Sequence, residues 1–384
     1  TTTTTDGVLY VDLNGETDGD EKMVAVTTAA VRSTSTSTPT STSSSPKVNN
    51  SIGLLQRIPH LGDVNRIKHC PQNPDLIATA SNSGCVRVFD RTKKPNNFND
   101  DDYSRINDID TNDIEPADIL LKYHTSESWT IDWNSHSTYT LATGSNDGSI
   151  AIWDLRAQFK APRKRFSTLD SKLKTPTCVL TTPQLNIPAH DYGVNEIKWM
   201  PDHHALLISV GEDGHCCVWD TRQSSASRNV IKLQAHRAID AKNDPETGAA
   251  LNAVDVNPRN TFLLTTGAAS GALQTFDVRV PTTAAIPSHY NNSQHTDAIS
   301  AVKYSPHTQH IASASMDGTV VIWKEGQTNA PALEPTFVHR GHLMAVNDAV
   351  WCPQRPITGP QGTLPMLASC SNDNSVHVWQ PLLS

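Results

Sequence analysis

Cysteine is scarce and unpaired in this 384-residue chain. Seven are scattered along it, Cys70, Cys85, Cys178, Cys216, Cys217, Cys352 and Cys370, and none forms a Cys-x-x-Cys pair. An odd number of thiols spread over a long chain argues against a disulfide framework or a cysteine-built zinc scaffold and reads as reduced intracellular cysteine. Long apolar runs are also lacking: no stretch approaches the ~20 residues a membrane span needs. The Thr-rich start has no basic segment with an apolar core behind it, so neither membrane insertion nor secretion is indicated. Basic charge is in deficit, 31 Lys and Arg against 39 Asp and Glu for a net of −8. Without a global positive field, direct sequence-specific nucleic-acid binding is disfavoured and a basic partner is the electrostatic expectation. Charged residues, 18% of the chain, are too sparse for a coiled coil. Catalytic signatures are missing too: there is no Walker loop, G-x-S-x-G or HExxH, and no nucleophile beside a plausible base. The expectation is a non-enzyme with no metal and no cofactor. What is present, 37% hydrophobic residues with 24 Pro and 19 Gly, suits a loop-rich globular protein with a large core. The chain opens on Thr1 rather than Met, as a fragment or processed product would.

A repeat organises the sequence. Six segments run from a histidine to an aromatic residue: His60 to Phe89, His124 to Trp153, His190 to Trp219, His236 to Phe276, His295 to Trp323 and His342 to Trp379. Inside each, a Ser or Thr is followed four residues later by a turn residue and six after that by the aromatic: Thr79/Ser83/Phe89, Thr143/Asp147/Trp153, Ser209/Asp213/Trp219, Thr266/Ser270/Phe276, Ser313/Asp317/Trp323 and Ser369/Asp373/Trp379. Ser149-Ile150-Ala151-Ile152-Trp153 and Thr319-Val320-Val321-Ile322-Trp323 are β-branched runs behind Asp-Gly turns, the hairpin signal. Each unit is expected to hold three or four short antiparallel strands.

These residues resemble the WD40 repeat, with the name-giving pair at Trp153-Asp154 and Trp219-Asp220 and the variant at Phe89-Asp90 and Phe276-Asp277. The physical reason for the pattern is a buried relay from turn Asp to His, His to hydroxyl, and hydroxyl to indole N–H, which stabilises only when every member is satisfied. Four repeats have the full set: His124, Thr143, Asp147, Trp153; His190, Ser209, Asp213, Trp219; His295, Ser313, Asp317, Trp323; and His342, Ser369, Asp373, Trp379. The other two have Ser83 and Ser270 for Asp and phenylalanine for Trp, losing acceptor and donor together, so the relay is expected to be absent there. All these residues read as framework. Gly7–Leu13, Lys22–Val26 and Ser51–Leu55 read as strands of a degenerate, incomplete first blade, interrupted by a disordered Ser/Thr-rich loop over about 27–50. The fold class is all-β, a seven-bladed WD40 β-propeller, with residues 1–58 as the degenerate blade and 59–384 as six repeats completing one domain.

More specifically, the chain is similar to the histone-binding WD40 chaperones of the retinoblastoma-associated, Msi and Hat2 family. The likeness is carried by His60-Leu61-Gly62-Asp63-Val64-Asn65-Arg66, Pro71-Gln72-Asn73-Pro74, Val88-Phe89-Asp90-Arg91-Thr92-Lys93, Phe337-Val338-His339-Arg340-Gly341-His342 and Val376-His377-Val378-Trp379-Gln380, and runs from about residue 51 to the C-terminus. It implies a non-enzymatic scaffold for histones H3 and H4 in chromatin assembly, acetyltransferase or deacetylase complexes, working in the nucleus and also the cytoplasm. The family grips a histone H4 helix between an N-terminal helix and a sixth-blade loop; the helix is absent ahead of Gly7, as truncation would explain. The side-site candidates are Glu334, Phe337 and Val338. The resemblance also places a histone H3 tail on the top face, where the acidic ring falls at Asp63, Glu127, Gly193, Ala250, Ala298 and Ala345. Its candidates are Asp63, Asn65, Arg66, Glu127, Trp129, Asn195, Glu196, Asn252, Asn347 and Asp348, with Asp240, Asp244 and Glu246 of an insertion as compensation.

Two linkers are charged in opposite senses. Asn99 to Asp118 holds eight carboxylates against Arg105, and the next linker holds Lys160, Arg163, Lys164, Arg165, Lys172 and Lys174 against Asp170. The first reads as a solvated loop or a flexible counter-charge for histones. Two other adaptor roles compete. Trp153-Asp154-Leu155-Arg156 and Trp219-Asp220-Thr221-Arg222 fit a substrate receptor of a cullin ubiquitin ligase, and the His, Val, Asn, Arg start of a repeat fits a ribosome-assembly WD40 chaperone.

Overall fold

The computed structural model describes residues 23–26, 56–94, 117–160, 178–223, 229–234, 250–279, 289–291, 294–325, 333–353 and 366–381. The chain divides into two compact units, one of residues 1–62, 91–116 and 165–175, the other of residues 63–90, 117–164 and 176–384. In the first, β1 (Met23–Val26) pairs antiparallel with β2 (Gln56–Pro59), and the buried Gln56 amide donates to the carbonyls of Arg91 and Lys94 at 3.0 and 3.1 Å. The strands expected over Gly7–Leu13 and Ser51–Leu55 lie outside the described residues, as does the Ser/Thr tract.

The second unit is a succession of six sheets among the described residues. The first holds β3 (Val64–Cys70), β4 (Asn73–Ser81), β5 (Cys85–Asp90) and β6 (Ile119–Lys122). The second holds β7 (Ser128–Trp133), β8 (Thr140–Ser145) and β9 (Ser149–Asp154). Next along the chain, β10 (Cys178–Leu180) runs parallel to β6 at the edge of the first sheet, an exception to the antiparallel expectation, and β11 (Leu185–Pro188) completes the second. The third sheet is β12 (Val194–Trp199), β13 (Leu206–Gly211), β14 (His215–Asp220) and β15 (Asn229–Gln234). The fourth is β16 (Leu251–Val256), β17 (Leu263–Ala268), β18 (Leu273–Asp277) and β19 (His289–Asn291). The fifth is β20 (Ile299–Tyr304), β21 (His310–Ser315), β22 (Val320–Lys324) and β23 (Glu334–His339). The sixth is β24 (Val346–Trp351), β25 (Leu367–Ser371) and β26 (Val376–Trp379). Seven blades are expected from the sequence and six are described; of the region assigned to the first blade, only the pair β1 and β2 is on view.

Burial explains the repeat. Second and third strands of most sheets are covered on both faces, hence continuous runs such as Ile150-Ala151-Ile152-Trp153 rather than alternation. The inner strands β3, β7, β12, β16, β20 and β24 lie beside one another in that order. The hairpin between second and third strands carries a positive-φ residue at one repeated position, Gly84, Gly148, Gly214, Gly271 and Gly318, with Asn374 in the last sheet. At Gly148 a Cβ would stand 2.5 Å from the His190 carbonyl oxygen, so sterics as well as φ demand glycine.

Candidate functional site

Four sheets bring together the residues of the relay. His124 Nε2 lies 2.7 Å from Thr143 Oγ1, Nδ1 3.3 Å from Asp147, and the Trp153 indole donates to the same hydroxyl at 3.2 Å. The third sheet is tightest, with His190 at 2.8 Å from Asp213 and 2.7 Å from Ser209, and Trp219 at 2.8 Å from that hydroxyl. His295, Asp317, Ser313 and Trp323 repeat it at 3.1, 2.7 and 2.7 Å. In the sixth sheet His342 holds Ser369 at 2.7 Å, while Trp379 to Ser369 is 3.3 Å and His342 Nδ1 to Asp373 opens to 3.6 Å. Burial works to raise the Asp213 carboxyl, but hydrogen bonding and charge from His190 prevail and hold it at about 2. Where Phe276 replaces Trp, Thr266 keeps the bond to the Gln274 carbonyl that Thr143 also makes to Ala151 within its relay.

The six positions of the expected acidic ring are equivalent in space. The carbonyls of Asp63, Glu127, Gly193, Ala250, Ala298 and Ala345 each accept from the first residue past the second strand, Asn82, Asn146, Glu212, Ala269, Met316 and Asn372. These loops therefore share one face of the unit. Its described loops carry the carboxylates of Asp63, Glu127, Asp191, Glu212 and Asp297 beside exposed Tyr192, Met316, Leu343 and Met344, with Trp129 next to them on β7. From Asp63 on, no Lys or Arg stands in the described stretches that link each histidine to its inner strand, nor in the hairpins opposite. Asp240, Asp244 and Glu246 lie outside the described residues.

Eight of the ten candidates for the tail site have side-chain partners within the fold, Asp63 among them, its carboxylate accepting from the Asn82 amide at 3.2 Å. Each inner strand has a β-bulge after its first residue, at Asn65, Trp129, Asn195, Asn252, Ser300 and Asn347. A bulge re-aims its side chain, and here several reach the neighbouring sheet. The Asn65 amide donates to the Ser128 carbonyl at 3.0 Å and the Asn195 amide to that of Leu251 at 2.9 Å; the Ser300 hydroxyl does the same to Val346 at 2.5 Å. Asn252 accepts a long bond from Asn195, and exposed Asn347 donates to Asn372. Glu196 is buried, accepting from Val254 N–H at 2.8 Å and from Lys303 at 3.0 Å. Asp132 and Asp255 receive the N–H groups of Trp199 and Tyr304 in the same way. Arg66 pairs with Asp348 at 3.0 Å and Lys198 with Asp255 at 3.2 Å. Asn65, Arg66, Asn195, Glu196 and Asp348 are thus stitches between sheets, because a polar group aimed along packed inner strands must find its partner there. Asp63, Glu127, Trp129 and Asn347 remain toward solvent.

At the side candidates, Glu334 is exposed, Val338 packs against the core of the fourth and fifth sheets, and Phe337 is half-buried with its ring 5.5 Å from that of Trp379. Glu325, just past β22, is not free: its two carboxylate oxygens accept from the Asn257 amide at 3.1 Å. Asp118 does not belong to a solvated run either: it is buried and caps Asp90 N–H at 2.8 Å. The rest of that acidic stretch and most of the basic one lie outside the described residues. The Arg156 and Arg222 guanidinium groups fork onto the Asp154 and Asp220 carboxylates of their own tetrapeptides, and Arg279 does so with Asp277. One constellation that sequence reading missed is His339, His342 and His377, whose ligand-capable atoms all lie within 4.8 Å of one another. The His-x-x-His spacing was its only sequence signal, and His342 was already assigned to the relay.

Residues 180–374, half of the chain, match the family model described as Nucleolar protein 10-like, N-terminal domain, and residues 119–154 match that of the WD domain, G-beta repeat. The chain belongs to the WD40 β-propeller family that these models describe. Among curated relatives of this propeller, Histone-binding protein MSI1 of Saccharomyces cerevisiae is 27% identical over 337 residues, covering 83% of this chain and 68% of that protein. Histone acetyltransferase type B subunit 2 of Candida glabrata is 22% identical over 343 residues, covering 87% and 67%. Both are distant relatives.

Proposed function

We propose that this WD40 propeller is a non-enzymatic scaffold that binds histones H3 and H4 for chromatin-assembly, acetyltransferase or deacetylase complexes, in the nucleus. The observation that carries the reading is the loop face described above, with five carboxylates, exposed aromatic and methionine side chains, and no Lys or Arg between each histidine and its inner strand or in the hairpins opposite among the described residues, Arg340 standing just ahead of His342. A basic extended tail finds there both counter-charge and apolar anchors, the chemistry expected of a partner that orders on binding. The names of the two distant relatives support the same class of partner.

The test is calorimetric titration of the purified chain at two salt concentrations with a histone H3 tail peptide and, separately, a histone H4 helix peptide. Tail binding that weakens with salt and falls at least about 10-fold in the Asp63→Lys, Glu127→Lys, Glu212→Lys triple variant is expected. Unchanged affinity in the triple variant would sink the loop-face site. Absence of binding to both peptides would remove the histone reading and favour the other adaptor roles.

A further inference from the structure

The geometry points to a transition-metal site at the end of the fifth and sixth sheets, formed by His339, His342 and His377 and suited to a divalent cation of imidazole preference such as zinc. Three elements supply the rings. His339 ends β23, His342 lies in the loop leading to β24, and His377 is on β26. His339 Nε2 and His377 Nδ1 face each other at 3.0 Å, their rings nearly perpendicular. Two imidazole nitrogens bound to zinc at about 2.0–2.1 Å in tetrahedral geometry sit roughly 3.3 Å apart, so this pair is already near ligand spacing.

The surroundings hold the rings for that purpose. The His339 ring lies flat on Trp379 at 4.4 Å between centroids, and the His342 ring is anchored through Nε2 to Ser369. With Nε2 committed there, Nδ1 is the atom of His342 that a cation would take from its contact with Ser375. The sixth-sheet relay is the loosest of the four, its Asp373 at 3.6 Å where the others stand at 2.8 to 3.3 Å. His342 Nδ1 also sits 3.1 Å from Ser375, as the Nδ1 atoms of His124 and His295 sit beside Ser149 and Thr319. His342 and His377 stack at 4.0 Å, so the third nitrogen closes the set by rotation of a ring, the ligand atoms being already within 4.8 Å. Solvent reaches the cluster past exposed Gly341, where a Cβ would come within 2.8 Å of the His339 ring and 3.1 Å of His377. The absent side chain leaves the approach open.

The experiment is zinc titration of the full chain after chelator treatment, by calorimetry, alongside the absorption spectrum of the cobalt(II) form and melting curves with zinc or with chelator. One zinc per chain is expected, with cobalt d–d bands free of thiolate charge transfer and a melting midpoint raised by zinc. His339→Gln and His377→Gln, which keep the Ser369 bond but lose the rings stacked on Trp379 and His342, should each weaken zinc on the order of 100-fold, with melting in chelator measured alongside to separate any loss of packing. Equal zinc affinity in both variants, a thiolate band from the seven cysteines, or no zinc binding by the native chain would each overturn the site. Should one variant melt early in chelator, the other and the cobalt spectrum still decide it.

Discussion

The guanidinium of Arg66 and the carboxylate of Asp348 meet at 3.0 Å across 282 residues of sequence, tying the first sheet of the larger unit to the last. Lys303 to Glu196 ties the fifth sheet to the third, and Lys198 to Asp255 the third to the fourth. Removing one partner leaves the other charged without compensation, which is more costly than deleting both. Arg66→Ala is therefore expected to lower unfolding stability by up to about 3 kcal/mol, the Asp348 side chain being 38% exposed and partly able to hydrate. The Arg66→Met, Asp348→Leu double variant should recover a large part of that in urea unfolding. Equal losses in single and double variants would show that the pair contributes by packing and not by charge.

Acid sensitivity follows from the relay. The Asp213 carboxyl is held at about 2 in the fold against an ordinary 3.8, so the folded state favours the ionised form. Its contribution is fully present above about pH 4 and is lost as pH falls toward 2, where the folded form takes up the proton. Asp213→Asn should unfold more readily at neutral pH and show a flatter dependence of the urea midpoint between about pH 4 and 2. An undiminished slope in that window would mean that other carboxylates carry the acid response.

Asn195 and Trp129 occupy the same bulge position in neighbouring sheets with opposite consequences. The Asn195 amide is spent on the Leu251 carbonyl, whereas the Trp129 ring is 40% exposed beside the acidic loops. Asn195→Ala should cost about 1 kcal/mol of stability, the scale of one lost buried hydrogen bond, with tail affinity unchanged. Trp129→Ala should leave urea unfolding nearly unmoved and weaken the tail peptide several-fold. The reverse pattern in paired titration and unfolding experiments would exchange the two assignments.

These cases mark where the sequence is readable and where it stops. The 4 and 6 spacing from hydroxyl to turn Asp to Trp is a direct image of antiparallel register, since Ser209 faces Cys217 and the Trp219 indole returns to it two residues on. The ring positions from Asp63 to Ala345 were legible because each follows its histidine, or precedes its proline, at a fixed distance. Bulges were not legible, because an inner-strand Asn looks the same whether it faces solvent or reaches the next sheet. Glu196 and Asp348 look like surface acid for the same reason: their partners, Lys303 and Arg66, stand more than 100 residues away. Pairings of that range leave no local pattern.

Phe337 illustrates how a partner site and a framework contact compete for one side chain. Its ring is half-buried and stacks 5.5 Å from Trp379, itself a relay member, so Phe337→Ala should lower stability by about 1–2 kcal/mol whatever it does to binding. Exposed Glu334, at the start of the same strand, isolates the question. Glu334→Lys should leave melting unchanged and weaken a basic amphipathic histone H4 helix a few-fold, more at low salt than at high. If Phe337→Ala shifts only the melting curve and Glu334→Lys shifts nothing, this edge is a strand end and no histone helix docks on it. A loss of helix affinity in both, with stability moving only in the first, would place the helix along β23.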